Sequence, residues 1–121
     1  MVAIVDDDDA IRTALRRFVR TIGYEATTFG SAEALLSFLK AAPPACMLTD
    51  IQMPGMSGLE LASELDRLRP GLPIAVTTAY PRLARRDATP PAHASTYMEN
   101  PLDDRLLETW LRENIDDQSA G

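Results

Sequence analysis

The sequence predicts an α/β fold: a doubly wound, five-stranded parallel sheet with helices on both faces. Two observations carry this. Short apolar runs of strand length alternate along the chain with longer segments whose apolar residues recur at helical spacing. The first and third of those runs stop abruptly at aspartates, as buried strands do where they reach a site. With 121 residues the chain is long enough for one core and too short for two.

The elements follow in order. Met1 to Val5, MVAIV, is an apolar run that meets four consecutive aspartates, which suits a strand covered on both faces. Ile11, Leu15, Phe18, Val19 and Ile22 then repeat at helical spacing, with Arg12, Arg16, Arg17 and Arg20 on other faces and Gly23 as the stop. YEATTF, 24–29, alternates and is rich in β-branched and aromatic residues. Ser31 opens a second helical run through Leu35, Leu36 and Leu39, which Pro43 and Pro44 end.

ACMLT, 45–49, reads as a buried strand ending at Asp50, and QMPGMSG supplies turn residues before the leucine-patterned helix LELASELDRL, closed by Pro70 and Gly71. IAVTT, 74–78, is a fourth strand, STYM, 95–98, a fifth, and LDDRLLETWLRENI, 102–115, the last helix. Between Tyr80 and Ser95 the pattern breaks, because Pro90 and Pro91 forbid a regular helix beyond about Asp87. A short or irregular fourth helix is expected there. Strands that alternate with helices imply parallel pairing through right-handed crossovers, and the natural strand order is 2-1-3-4-5, a flavodoxin-like arrangement. The domain is expected to span 1–116, with 117–121 a polar tail or the start of a linker.

Composition narrows the function. Apolar residues make up 45% and charged residues 25%, as in an ordinary globular protein. No apolar run approaches the roughly 20 residues that span a bilayer, and no basic-then-apolar signal segment follows Met1, so a cytoplasmic location without membrane contact is expected. A formal charge of −6, with twelve Lys and Arg that form no stripe, argues against direct nucleic-acid binding by this segment. The single cysteine, Cys46, lies in an apolar run and reads as a small core residue. Trp110 shares the register of Leu106 and Leu107 and reads as core rather than as a partner-facing aromatic.

In a doubly wound sheet, ligands bind beyond the carboxyl ends of the strands where strand order reverses. Asp6 and Asp7 follow the first strand and Asp50 follows the third, its neighbour in the expected order. Converging carboxylates repel unless a cation joins them, and oxygen ligands without histidine or cysteine select Mg²⁺ or a similar ion. A carboxylate beside such an ion is placed to attack a phosphoryl group, so Asp50 is a candidate aspartyl-phosphate residue. The competing reading of DDDD is that it caps the first helix, where negative charge is favourable. Asp8 and Asp9 are assigned to the cap, Asp6 and Asp7 to the site.

Together IVDDD, TDIQMPGMSGLEL, PIAVTTAY and YMENP resemble, in order and spacing over nearly the whole chain, the receiver domains of two-component signalling, of the FixJ type. The resemblance implies that Asp50 is the phosphoacceptor, Asp7 a direct Mg²⁺ ligand, Asp6 a ligand mainly through water and the backbone carbonyl of Gln52 a further ligand. It also implies that Thr78 binds the phosphoryl oxygen and that Tyr97 is the aromatic switch, while Gln52 and Tyr80 tune dephosphorylation. Read without the resemblance, Thr78 and Thr77 are ordinary strand formers and Tyr97 is an amphipathic sheet residue. Pro54, Gly55 and Gly58 resemble the turn that closes the loop over the site.

At one position the chain departs from the family. Receivers carry a lysine before the proline that follows the fifth strand, and here Asn100 precedes Pro101. Asparagine donates a hydrogen bond but brings no charge, and charge-assisted bonds are about twice as strong as neutral ones, so slower phosphoryl transfer or weaker coupling to the output is expected. Arg82, Arg85 and Arg86 reach the site only if their segment folds back, and His93 carries no chemical role.

The expected function is thus an atypical receiver in a phosphorelay, monomeric or weakly dimeric, with a histidine kinase or phosphotransfer protein as donor and an effector protein or domain downstream. It is no enzyme beyond its own Mg²⁺-dependent phosphorylation and dephosphorylation. The alternative is a degenerate receiver that binds partners independently of phosphorylation. A Mg²⁺-dependent phosphohydrolase wants a second acid two residues after the nucleophile, where this chain has Gln52.

Overall fold

A computed structural model of the chain describes residues 1–39, 43–50, 53, 55–78, 94–99 and 103–120, with residues 78, 94–97, 99 and 116–120 described by their backbone alone. In chain order the elements are β1 (Val2–Val5), α1 (Asp9–Thr21), β2 (Ala26–Phe29), α2 (Ala32–Phe38), β3 (Cys46–Asp50), α3 (Gly58–Leu68), β4 (Ile74–Thr78), β5 (Ala94–Glu99) and α4 (Asp104–Ala120). The strands form one parallel sheet of order β2-β1-β3-β4-β5, as the alternation predicts.

Strand periodicity sorts the core onto two faces. Ala3, Val5, Met47, Ile74 and Val76 point to one side and pack with Leu35 of α2 and Leu61 and Leu65 of α3. Val2, Ile4, Cys46, Leu48 and Ala75 point to the other and meet Val19 of α1 and Leu107, Trp110 and Leu111 of α4. The first four residues of β1 and of β3 are buried, because helices cover both faces. That explains why these strands read as continuous apolar runs rather than alternating ones. Each fully buried leucine contributes roughly 1.5–3 kcal/mol. Trp110 is buried, as its register predicts, and so is Cys46, whose thiol burial pushes up to about 12.

Local signals set the helix ends. The Asp8 side chain accepts hydrogen bonds from the backbone N–H groups of Ala10 at 2.9 Å and Ile11 at 3.2 Å, the cap expected of it. Ser31 caps α2 through Ala34 N–H at 3.1 Å, and Ser57 caps α3 through Glu60 N–H at 3.2 Å. Gly23, Gly55 and Gly71 take positive φ, which L side chains adopt at a cost.

One boundary differs from the expectation. Gly58, read as part of the turn before the third helix, is the first residue of α3, because Ser57 supplies the cap one position earlier. Helix α4 runs on to Ala120, through the segment expected to be a tail or the start of a linker. Neither Gly nor Pro interrupts 116–120, so nothing local stops the helix. The expected irregular helix before Ser95, with Arg82, Arg85, Arg86, Pro90, Pro91 and His93, lies outside the described residues.

Candidate metal centre

The sheet register brings the acidic residues together. Val5 of β1 pairs with Thr49 of β3, so Asp6 and Asp50, one residue further on, leave adjacent strands side by side. One carboxylate oxygen from each of Asp6, Asp7 and Asp50 lies within 4.8 Å of the others. Asp6 is buried, Asp50 half-buried and Asp7 exposed, so the cluster opens to solvent on one side.

Asp6 is held from several directions. Its N–H donates to the Phe29 carbonyl at 3.1 Å, its Oδ1 accepts from the Asp8 N–H at 2.9 Å, and its own carbonyl accepts from the Arg12 guanidinium at 2.7 Å. Burial is the main reason its carboxyl titrates at about 6 rather than 3.8. The Asp8 N–H pulls the other way, and the charges of Asp50, Asp7 and Asp8 push it further up. A carboxylate ionised at such cost is one that a cation stabilises.

The donor set fits Mg²⁺. It is all hard oxygen, and among the described residues no histidine or cysteine joins the cluster. Two ligands at about 2.1 Å from one ion lie no more than about 4.2 Å apart. The three oxygens therefore need only a small closure, or one of them binds through water.

The surrounding residues show how far the other expectations reach. Asp8 and Asp9 stay out of the cluster: Asp8 caps α1, and Asp9 pairs with Arg12 at 3.0 Å. The buried Thr77 hydroxyl donates to the Thr49 carbonyl at 3.5 Å and so bridges β3 to β4. Thr78 and Tyr97 lie in adjacent strands, Thr78 opposite Glu99 and Tyr97 opposite Val76, and only their backbones are described. Gln52, Pro54, Tyr80 and Asn100 lie outside the described residues.

Two contacts near the cluster were not expected from the sequence. The first is the Arg12 bond to the Asp6 carbonyl. Its i,i+3 spacing from Asp9 was legible, but its reach to the backbone was not. The second is Glu33 of α2, whose Oε1 accepts from the Met56 N–H at 3.3 Å and so ties α2 to the loop after β3. Partners 23 residues apart leave no local signal.

A carboxylate cluster at the carboxyl ends of a 2-1-3-4-5 sheet lies where flavodoxin-like α/β modules bind their ligands. The chain belongs to the response regulator receiver domain family, whose model matches residues 2–112. It is 37% identical over 100 residues to the DNA-binding transcriptional regulator NtrC of Klebsiella pneumoniae, covering 83% of this chain and 21% of that protein. With the transcriptional regulatory protein FixJ of Azorhizobium caulinodans it shares 31% identity over 114 residues, 94% of this chain and 54% of the relative. The chain thus spans about a fifth to a half of these relatives. Among solved structures it is similar to the response regulator TrrA of Thermotoga maritima in complex with Mg²⁺-BeF, with a TM-score of 0.83, 28% identity and coverage of 93% of this chain and 96% of that one. It is likewise similar to a CheY-like receiver domain protein of Methanospirillum hungatei, with a TM-score of 0.83, 28% identity and coverage of 98% and 95%. The resemblance to FixJ-type receivers read from the motifs therefore holds. Among the described residues no helix is long and apolar enough to cross a membrane.

Proposed function

We propose that Asp50 accepts a phosphoryl group from a histidine kinase or phosphotransfer protein, and that the acyl phosphate so formed alters a surface read by an effector. The observation that carries this reading is the convergence of Asp6, Asp7 and Asp50 within 4.8 Å at the switch point of the sheet. An Asp50 carboxylate oxygen attacks phosphorus in line with the departing donor nitrogen, and the donor bond breaks as the new oxygen bond forms. Mg²⁺, when bound by Asp6, Asp7, Asp50 and the Gln52 carbonyl, supplies positive charge to the transferring oxygens. Thr78 donates to the phosphoryl oxygen, Tyr97 follows it as the switch, and Gln52 and Tyr80 set the rate at which water hydrolyses the product.

A second reading is favoured by Asn100, which stands where receivers keep a lysine. In that reading the chain is a degenerate receiver that binds its partners independently of phosphorylation. Intact mass after incubation with Mg²⁺ and a small phosphodonor separates the two. A gain of one phosphoryl group that is lost in Asp50→Asn is expected; no gain under any condition rules out phosphosignalling. Asn100→Lys should raise the rate of acceptance, and an unchanged rate and conformational response would refute the role given to the missing charge.

A further inference from the structure

Arg12 is the one cation bonded to the backbone of the acidic cluster among the described residues. Its guanidinium donates through one arm to the Asp6 carbonyl at 2.7 Å and through the other to Asp9 Oδ1 at 3.0 Å. The side chain is 20% exposed. A Cβ added at Gly30, just after β2, would meet the Arg12 Nη1 at 3.4 Å, an ordinary contact, so the guanidinium lies beside this strand end.

The consequence lies in the peptide groups. Asp6 donates its N–H to Phe29 across the sheet and accepts from Arg12 at its carbonyl, so both peptide planes that flank Asp6 are held. The Asp6 carbonyl belongs to the peptide that leads into Asp7. With the preceding plane also held, a bond that fixes this plane fixes the direction in which the Asp6 side chain leaves the backbone and restrains that of Asp7. Carboxylates within 4.8 Å of one another repel, and an unrestrained loop would relieve that repulsion by turning them apart. Fixed groups that bond to a metal ligand's support hold its geometry as the ligands themselves cannot.

We propose that Arg12 is a positioning residue of the metal centre: it clamps the Asp6–Asp7 peptide so that the two carboxylates stay converged on Asp50 before any ion arrives. The proposal rests on the reading of this cluster as a metal site, and it adds a residue that touches neither the ion nor the phosphoryl group. Arg16, one turn further along α1 and exposed, is the internal control.

The test compares the wild-type chain with Arg12→Met, which keeps the stem and deletes every donor, with Arg12→Lys and with Arg16→Met. Mg²⁺ and Mn²⁺ affinities are measured by calorimetry, and urea midpoints are measured in chelator. Arg12→Met should lose tenfold or more in affinity for either ion, with Arg12→Lys recovering part of the loss and Arg16→Met matching wild type. The Asp7 amide ¹⁵N resonance, which reports the bond to the preceding carbonyl, should shift in both Arg12 variants and not in Arg16→Met. Wild-type affinity in a folded Arg12→Met chain overturns the clamp alone, whereas a wild-type chain that binds neither ion overturns the metal site with it. Should Arg12→Met not fold, the wild-type protein decides: Arg12 side-chain N–H resonances that remain sharp and slowed in rotation support the clamp, and a freely rotating guanidinium refutes it.

Discussion

At the scale of single residues, the cluster stores an electrostatic cost that sets a pH dependence. Asp6 titrates at about 6 instead of 3.8, chiefly because it is buried. A carboxyl whose folded value lies above its unfolded one stabilises the fold fully below the unfolded value and loses that contribution as pH rises through the folded value. In chelator, the contribution of Asp6 should therefore fall between about pH 4 and pH 6 and stay low at pH 7, by roughly 2–3 kcal/mol. Asp6→Asn keeps an oxygen that can accept from the Asp8 N–H and removes the charge. Its stability relative to wild type should accordingly rise across that window in urea titrations, and a constant difference from pH 4.5 to 7.5 would refute the assignment. Mg²⁺ should stabilise the wild-type protein most above pH 6, where the ionised carboxylates leave it a site.

At the scale of elements, the run of four aspartates divides its labour at one peptide bond. Asp6 and Asp7 belong to the end of β1 and to the cluster, Asp8 and Asp9 to the start of α1. Asp8 serves both sides, since its side chain caps the helix and its N–H donates to Asp6. Only the first role depends on its carboxylate. Asp8→Ala should therefore cost about 1 kcal/mol of stability, the usual worth of an N-cap, while Mg²⁺ affinity stays within about twofold. A loss of metal affinity as large as that of Asp7→Ala would mean that the division is wrong. Helix caps of this kind were legible because they are local. The Glu33 bond to Met56 was not, because it joins α2 to a loop that only folding brings near.

At the scale of the whole molecule, the two-sided core makes the sheet the rigid frame on which the site depends. Leu65 on one face and Leu107 on the other are both fully buried, and replacing either with alanine should cost about 2–5 kcal/mol. Cys46 reports on this frame directly. It is wholly buried and its thiol is pushed up to about 12, so a thiol reagent at neutral pH should label it only through unfolding. Labelling of the folded protein at the rate of a free thiol would show that the sheet opens locally at β3.

What the sequence determined alone is what depends on periodicity and on local chemistry. Alternating apolar runs set the five strands and their order, the position of the apolar residues set the two core faces, and strand-end aspartates marked the carboxylates that converge. Family membership followed from motifs spread over nearly the whole chain. Tertiary structure decided what depends on distance between segments. It turned two strand ends into a cluster 4.8 Å across, buried Asp6 and so raised its titration, and gave the Arg12 guanidinium a carbonyl at the site instead of solvent. A side chain's partner across the fold is set by packing, and packing leaves no period in the sequence from which to read it.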